Sequence, residues 1–114
     1  MMTGAHVILF TTDAEADRAF IRDHLGLGHV DAGGGWLIFK LPPSELAFHP
    51  AEKNGQTEFY LMCDDVDAEV ARLTALGRPC SPIQQEQWGR RTSVTLPSGA
   101  SLHIYQATHA TAHG

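Results

Sequence analysis

The sequence lacks any apolar run that approaches the roughly 20 residues a helix needs to cross a bilayer. It is also poor in basic residues, with 8 lysines and arginines against 13 aspartates and glutamates and a formal charge of -5. Nucleic-acid binding without sequence preference requires clustered cations that displace counterions from phosphates, and this chain has no basic stripe. Attraction to an anionic membrane surface is disfavoured for the same reason. We therefore expect neither a nucleic-acid nor a membrane partner.

Cysteine is scarce as well, with 2 in 114 residues. Cys63 and Cys80 are too far apart in sequence for a cysteine metal motif, and they fit a reducing compartment. Residues Met1 to Thr12 lack the basic region and cleavage site of a secretory signal. The sequence therefore predicts a cytoplasmic protein. Its length predicts a single domain over residues 1–107, followed by a flexible polar tail over residues 108–114.

The first half of the chain carries signals for one helix and several strands. The β-branched and aromatic run His6–Phe10 predicts a strand. Thr12 and Glu15 resemble a capping box, with the hydroxyl as N-cap, and predict a helix that ends at Leu25-Gly26. Further strands of this half are predicted around residues 29–30, 36–39 and 45–49.

The second half repeats this order. Phe59–Cys63 predicts a strand, and Asp64-Asp65 opens a helix that ends at Leu76-Gly77. The spacing from the Asp to the Leu-Gly pair is the same in both halves, which indicates an internal repeat. Further strands are predicted at residues 80–83, 91–96 and 101–105, and the two modules at about 5–50 and about 57–106.

This order of elements resembles the glyoxalase/bleomycin-resistance/extradiol-dioxygenase (vicinal oxygen chelate) superfamily. The matching pieces are a His opening the first strand, Leu-Gly after each helix, Trp88-Gly89-Arg90, and Pro97-Ser98-Gly99. The last piece departs from the usual Asp-Pro-Asp-Gly-Asn. The resemblance spans roughly Ala5 to Gln106. It implies an α+β fold in which two βαβββ modules form a curled mixed β-sheet cup for a small molecule, with the helices outside.

The resemblance also implies metal ligands on the first, fourth, fifth and eighth strands. In this chain those positions are His6, Glu45, Glu58 and His103. Imidazole and carboxylate suit a divalent metal such as Zn, Ni, Mn, Co or Fe. Metal-bearing relatives often have His on the fifth strand and Glu on the eighth. Here the two types are exchanged, which is compatible either with a retained ligand set or with the loss of one site.

Strand alternation tests whether these side chains can share one wall. Glu58 falls on the same face as Tyr60 and Met62, and His103 falls on the same face as Ser101 and Tyr105. Aromatic residues often line small-molecule pockets, although they more often pack in cores. The predicted pocket residues are Phe10, Trp36, Tyr60, Met62, Trp88 and Tyr105.

Three functions fit this pattern. The first is a divalent-metal-dependent lyase or isomerase that acts on a small oxygenated substrate, with Glu45 or Glu58 as the proton-transfer base. The second is a metal-free protein that binds a drug or metabolite, as in bleomycin resistance. The third is a non-catalytic association module. Arg90 and Arg91 lie near the predicted cup rim, where they would either clamp an anionic substrate or remain solvated. We also expect a homodimer formed by pairing of sheets.

Overall fold

A computed structural model describes residues 6–45 and 47–113. Within these ranges the chain forms two α-helices, α1 (Ala14–Phe20) and α2 (Val66–Ala75), and a π-helical turn, Ile21–Leu25, continues α1. The strands are β1 (His29–Asp31), β2 (Leu37–Phe39), β3 (Tyr60–Cys63), β4 (Gln84–Gln85), β5 (Gly89–Thr95) and β6 (Ser101–Ala107). None of the described helices is long and apolar enough to cross a membrane.

Aspartate caps begin both α-helices. The Asp13 carboxylate accepts the backbone N–H of Ala16, and the Asp65 carboxylate accepts that of Ala68, each at 3.1 Å. The prediction of Thr12 as the first N-cap was therefore wrong by one residue. A carboxylate accepts the free N–H groups of the first turn and also interacts favourably with the positive end of the helix dipole, whereas a hydroxyl offers only the first interaction.

Glycine ends both helical segments, as predicted from the two Leu-Gly pairs. Gly26 and Gly77 have φ angles of 67° and 78°, in the left-handed region that residues with a Cβ rarely enter. After α2, Gly77 N–H donates to Thr74 O and Arg78 N–H donates to Leu73 O. These bonds satisfy carbonyls at the end of the helix and turn the chain back towards the sheet.

The described strands form two sheets. Strands β1 and β2 make an antiparallel two-stranded ribbon, and the other four have the order β3-β6-β5-β4. Strand β6 lies parallel to β3 and antiparallel to β5, which in turn lies antiparallel to β4. The last strand along the chain is therefore central in its sheet. This mixed sheet, together with the two helices, confirms the predicted α+β class.

Three of the predicted strands differ in the structure. Residues 6–10 have no regular secondary structure, and neither do residues 45 and 47–49; position 46, within the predicted 45–49 strand, lies outside the described residues. The predicted strand at 80–83 is reduced to an isolated bridge between Cys80 and Val94. An apolar run predicts a strand only where a neighbouring strand can pair with its backbone. Residues 6–10, 45 and 47–49 have no such neighbour among the residues described, and the segment 80–83 pairs with β5 only at Cys80.

The core lies between the helices and one face of the four-stranded sheet. Its buried residues are Phe20, Leu73, Val94, Leu96, Leu102 and Ile104. Phe20 comes from α1, so the helix of the first half packs on the sheet of the second half. Helix α2 adds Leu73, which is fully buried. The opposite face of the sheet carries a different set of side chains.

Candidate functional site

We call the sheet face opposite the helices the open face; it carries Tyr60, Met62, Arg91, His103 and Tyr105. Tyr60 pairs with His103, and Tyr105 pairs with both Met62 and Arg91. Residues directly opposite each other on neighbouring strands project to the same side. The alternation predicted from the sequence is therefore confirmed, since Leu102 and Ile104, the intervening residues of β6, are buried against the helices.

Three aromatic rings on the open face form a closed cluster, which we call the aromatic triad: Tyr60, Trp88 and Tyr105. The ring centroids lie 5.6 Å apart for Tyr60 and Trp88, 5.6 Å for Tyr60 and Tyr105, and 5.1 Å for Trp88 and Tyr105. All three contacts are edge-to-face, the arrangement that the ring quadrupoles favour. Tyr105 is buried, whereas Trp88 is 36% exposed. The triad therefore combines a partly exposed ring, that of Trp88, with a buried one, that of Tyr105.

A glycine lets the triad pack closely. A Cβ placed on Gly89 would lie 2.5 Å from the carbonyl oxygen of Gln106 and 3.0 Å from Cδ2 of Tyr105. The first separation is too short for a real carbon and the second is tighter than most real contacts, so any side chain here would push the β6 backbone or the Tyr105 ring away. Gly89 follows Trp88 directly. The absence of a side chain at Gly89 therefore allows two members of the triad, Trp88 and Tyr105, to pack against each other.

Polar groups surround the tyrosine hydroxyls. Tyr60 donates to Glu58 Oε2 at 3.0 Å, and the Tyr105 hydroxyl lies 3.2 Å from Nε2 of His109. Burial raises the pKa of Tyr60, and the hydrogen bond to the Glu58 carboxylate raises it further. Burial also raises the pKa of Tyr105, with a smaller contribution from the charge of Glu45. Both hydroxyls are therefore neutral near pH 7 and can donate hydrogen bonds.

A cavity of about 350 Å³ adjoins Tyr60. It contains two of the four predicted metal ligands, Glu58 and His103. The Nδ1 atom of His103 is buried and has no hydrogen-bond partner in the described part of the chain. The remaining lining residues are Leu9, Thr57, Phe59, Tyr60, Ser101 and Leu102. An unpartnered imidazole nitrogen beside a carboxylate is suited to receive a donor or a cation.

The other two predicted ligands lie elsewhere. His6 lines a second cavity of about 590 Å³ together with His113. The Glu45 carboxylate accepts the backbone N–H of Ala112. Over residues 6–45 and 47–113, no group of three or more His, Cys, Asp or Glu side chains could hold a metal ion. A site made of all four ligands from one chain therefore does not fit this arrangement, and metal binding stays a prediction.

Three predicted pocket residues are outside the aromatic triad. Met62 lies on the open face and is 38% exposed. Trp36 lies in the first half, where the Arg18 guanidinium packs 4.7 Å from its ring centre. Phe10 is 94% exposed. The structure thus brings together the predicted aromatic residues of the second half and leaves those of the first half apart.

The segment predicted as a flexible tail makes hydrogen bonds to both halves. Thr108 donates its N–H to Trp88 O, and its hydroxyl to Gln87 O. Farther along, the His113 ring nitrogen Nε2 lies 2.9 Å from the carbonyl oxygen of Ser44. Together with the Ala112 bond to Glu45 described above, these contacts join the segment to both halves of the chain. The sequence carried no signal for them beyond the two histidines of the segment.

Arg90 and Arg91 separate to opposite faces of the sheet. Arg90 forms a two-bond ion pair with Asp67 of helix α2. Arg91 donates from Nε to Glu86 at 3.0 Å and from Nη2 to Gln84 at 2.5 Å, on the side of the open face. The sequence analysis missed Glu86 and Gln84 as partners. Strand alternation would have separated the two arginines, because consecutive residues of a strand point to opposite faces.

Known proteins were compared with this chain in three ways. No protein-family model matches it, and no curated protein matches it significantly. Among solved structures, it is similar to TnmS3, an antibiotic binding protein from Streptomyces sp. CB03234, with 25% identity and a TM-score of 0.65 over 95% of this chain and 100% of that one. It is also similar to lactoylglutathione lyase from Agrobacterium tumefaciens, with 24% identity and a TM-score of 0.68 over 91% and 92% of the two chains. The fosfomycin resistance protein FosX from Listeria monocytogenes is 18% identical, with a TM-score of 0.56 over 95% and 96%.

Proposed function

We propose, from the premise that the chain has the glyoxalase/bleomycin-resistance/dioxygenase fold, that it binds a small aromatic molecule on the open face of its second-half sheet. The observation that carries this proposal is the aromatic triad. Its three rings are in mutual contact at 5.1 to 5.6 Å, and Trp88 remains 36% exposed. A flat apolar ligand would extend this edge-to-face packing and exclude water from the partly open rings.

Polar groups around the triad would orient such a ligand. The hydroxyls of Tyr60 and Tyr105 are each already paired with a neighbour, Glu58 and His109 respectively. His103 lies on the same face, with its ring centre 5.3 Å from that of Tyr60. An apolar surface with a few fixed polar groups is the usual composition of a small-molecule site. The likeness to an antibiotic binding protein supports the binding of a small molecule.

Fluorescence tests this proposal, because the chain has only two tryptophans. Flat aromatic probes are added to Trp36→Phe protein, in which Trp88 is the sole emitter, and we expect quenching together with a melting temperature that rises with probe concentration. Trp88→Ala is expected to weaken binding by roughly tenfold, the loss of about 1.4 kcal/mol of ring contact. Trp36→Ala is the matched control and is expected to bind normally. Equal losses in the two variants would contradict the proposal.

A second candidate function is metal-dependent lyase or isomerase chemistry. The specific observation in its favour is that Glu58 and His103 line one cavity, and that the buried Nδ1 of His103 has no hydrogen-bond partner in the described part of the chain. A divalent metal bound there would polarise a substrate oxygen. Glu58 would hold or move a proton at its Oε2 atom, which now accepts the hydroxyl of Tyr60. The likeness to a lactoylglutathione lyase agrees with this chemistry.

Elemental analysis of purified protein tests the second candidate. Metal-dependent chemistry predicts about one divalent ion per chain. The ion should be lost in His103→Ala and retained in His29→Ala, because His29 is a control histidine on the exposed strand β1. Protein that carries no metal after incubation with Zn, Ni, Mn, Co and Fe in turn would remove this candidate and leave the binding function intact.

We also propose that the protein is a homodimer. Apolar side chains of the first half lie in water in the single chain: Ile8 is 62% exposed, Phe10 94% and Phe48 90%. Exposed apolar residues that cluster in one part of a chain commonly mark an interface. A second copy of the chain offers the same surface, and a twofold arrangement would cover both copies at once.

A further inference from the structure

We infer that Arg91 selects the ligand of the open face, and that the ligand is a flat aromatic molecule with a single hydrogen-bond-accepting oxygen, such as a ring ketone, at its edge. This inference rests on the proposed binding function and names the chemistry that the site would recognise. The inference is based on the position of the Arg91 guanidinium, which hydrogen bonds hold next to the aromatic triad. Arg91 lies directly across the ladder from Tyr105, a member of the aromatic triad.

Two acceptors hold the Arg91 side chain in place. Its Nε donates to Glu86 Oε1 at 3.0 Å, and its Nη2 donates to Gln84 Oε1. Both partners come from β4 or the turn after it, so the guanidinium is fixed before any ligand arrives. A preorganised donor loses little side-chain freedom on binding and therefore discriminates well between ligands.

One nitrogen of Arg91 remains available. Its Nη1 donates to no other residue within the two described ranges, and the side chain as a whole is 32% exposed. Arg91 lies across the ladder from Tyr105, and its charge also acts on Tyr60: burial chiefly raises the pKa of Tyr60, the Glu58 hydrogen bond adds to this, and Arg91 opposes it. Arg91 therefore acts on two members of the triad.

The charge around Arg91 favours a neutral acceptor over an anion. Glu86 already pairs with the guanidinium, so the local charge is close to balanced and a full carboxylate would be repelled by Glu86. One of the two edges of the guanidinium that can hold a carboxylate with two hydrogen bonds is also occupied, because Glu86 and Gln84 accept from Nε and Nη2. A single carbonyl oxygen needs only the free Nη1 group.

Arg90 provides a matched control within the same strand. It is an ion-paired arginine whose side chain is about as exposed as that of Arg91, 34% against 32%, but it reaches Asp67 of α2 on the other face. A change at Arg90 removes one positive charge from the protein without removing a donor from the open face. Effects that depend only on net charge will therefore appear in both variants, whereas effects of a positioned donor will appear at Arg91 alone.

The experiment uses three naphthalenes that differ in one edge group: 2-ethylnaphthalene, 2-acetylnaphthalene and 2-naphthoate. Dissociation constants are measured by Trp88 fluorescence in the Trp36→Phe background. We expect the ketone to bind roughly tenfold more tightly than the hydrocarbon, as for a hydrogen bond from a charged donor. Arg91→Gln is expected to reduce this ratio to about one while the affinity for 2-ethylnaphthalene changes less than about twofold. Arg90→Gln should leave the ratio unchanged.

Several outcomes would overturn the inference. They are an unchanged ratio in Arg91→Gln, the same loss of ratio in Arg90→Gln, or naphthoate binding more tightly than the ketone to the unmodified site. If Arg91→Gln does not fold, Arg91→Lys serves instead; it keeps the charge but cannot serve three acceptors in a plane, so its ratio should also fall. Failure of the proposed function is distinguishable, because then the hydrocarbon itself would not bind, and the inference would fall with it.

Discussion

Asp17 on helix α1 accepts two hydrogen bonds from Ser98, from its backbone N–H at 3.1 Å and from its hydroxyl at 2.8 Å. The two residues are 81 positions apart, so this pair joins the first half of the chain to the hairpin between β5 and β6. Asp17 is buried and also accepts the hydroxyl of Thr11. The departure of Pro97-Ser98-Gly99 from the family's usual acidic turn now has a reason. An aspartate at position 98 would face the Asp17 carboxylate, and the like charges would repel.

Removal of this carboxylate is expected to destabilise the protein. Asp17→Ala leaves the Ser98 N–H and two hydroxyls without their acceptor, and we expect the free energy of unfolding to fall by about 2 kcal/mol. Urea denaturation followed by circular dichroism measures the change. Glu15→Ala is the control; Glu15 is exposed on the same helix, and its loss should cost less than about 0.5 kcal/mol. Equal effects of the two changes would show that the Asp17–Ser98 contact contributes little.

The close approach at Gly89 gives a second prediction. In Gly89→Ala the new Cβ would meet Gln106 O and the Tyr105 ring, so we expect a loss of about 1–3 kcal/mol of stability. The emission of the neighbouring Trp88 should shift as the triad is displaced. Gly28→Ala is the matched control, because a Cβ there meets nothing within 4 Å and the residue has no positive φ. A stable Gly89→Ala protein with unchanged Trp88 emission would contradict the tight packing.

The two tyrosines give a prediction for alkaline pH. Because burial and Glu58 raise the pKa of Tyr60 in the folded state, the unfolded chain loses its proton first, near pH 10. The stability that neutral Tyr60 contributes is therefore complete below about pH 10 and is lost as the pH rises through the higher folded pKa. In Tyr105→Phe protein, tyrosinate absorbance reports Tyr60 alone.

Glu58 provides the check on this titration. In the Tyr105→Phe background, Glu58→Gln removes the charge that disfavours the tyrosinate, so the titration midpoint of Tyr60 should move down towards pH 10 without reaching it, because burial remains. Glu52→Gln, an exposed acid between the halves, should leave the midpoint in place. A midpoint that stays unchanged in Glu58→Gln would mean that burial alone sets the pKa.

The proposed homodimer predicts the effect of polar changes at the exposed phenylalanines. Phe10→Ser and Phe48→Ser together should convert a dimer to a monomer in sedimentation experiments, because each ring would otherwise bury about 150–250 Å². Leu76→Ser at the end of α2 is the control, at a site 47% exposed and away from those residues. A protein that is monomeric at high concentration before any change would remove the dimer proposal.

The sequence predicted best the features that depend on neighbouring residues. Asp65 begins α2 and Gly26 and Gly77 end the helical segments as predicted, and the start of α1 was predicted to within one residue, because caps and left-handed turns are local properties. The face of the sheet on which Tyr60 and Tyr105 lie was also predictable, because side chains alternate between the two faces along a strand. The predictions that failed depend on pairing between strands that are distant in the sequence. His6–Phe10 is apolar enough for a strand, but composition does not show whether a partner strand is present.

The site residues show the same difference between positions set by local pattern and positions set by packing between distant segments. Tyr60, Trp88 and Tyr105 come from one half of the chain, and their rings are in mutual contact. Trp36 and Phe10 come from the other half, and their positions depend on how the two halves pack, which no local pattern specifies. Strand β4, Gln84–Gln85, was missed because a polar edge strand has no apolar alternation, yet it supplies the acceptor that holds Arg91.

The central position of β6 has a consequence for the order of events on the ribosome. Residues of β3 and β5 both hydrogen-bond to β6, so β3 is not joined to the rest of the sheet until β6 has been made and has left the ribosome. Until then Leu61 of β3 lacks its neighbouring strand, and the exposed apolar surface is expected to make the emerging chain a substrate for chaperones. Purified chains that end just before and just after β6 should therefore differ sharply in protease resistance.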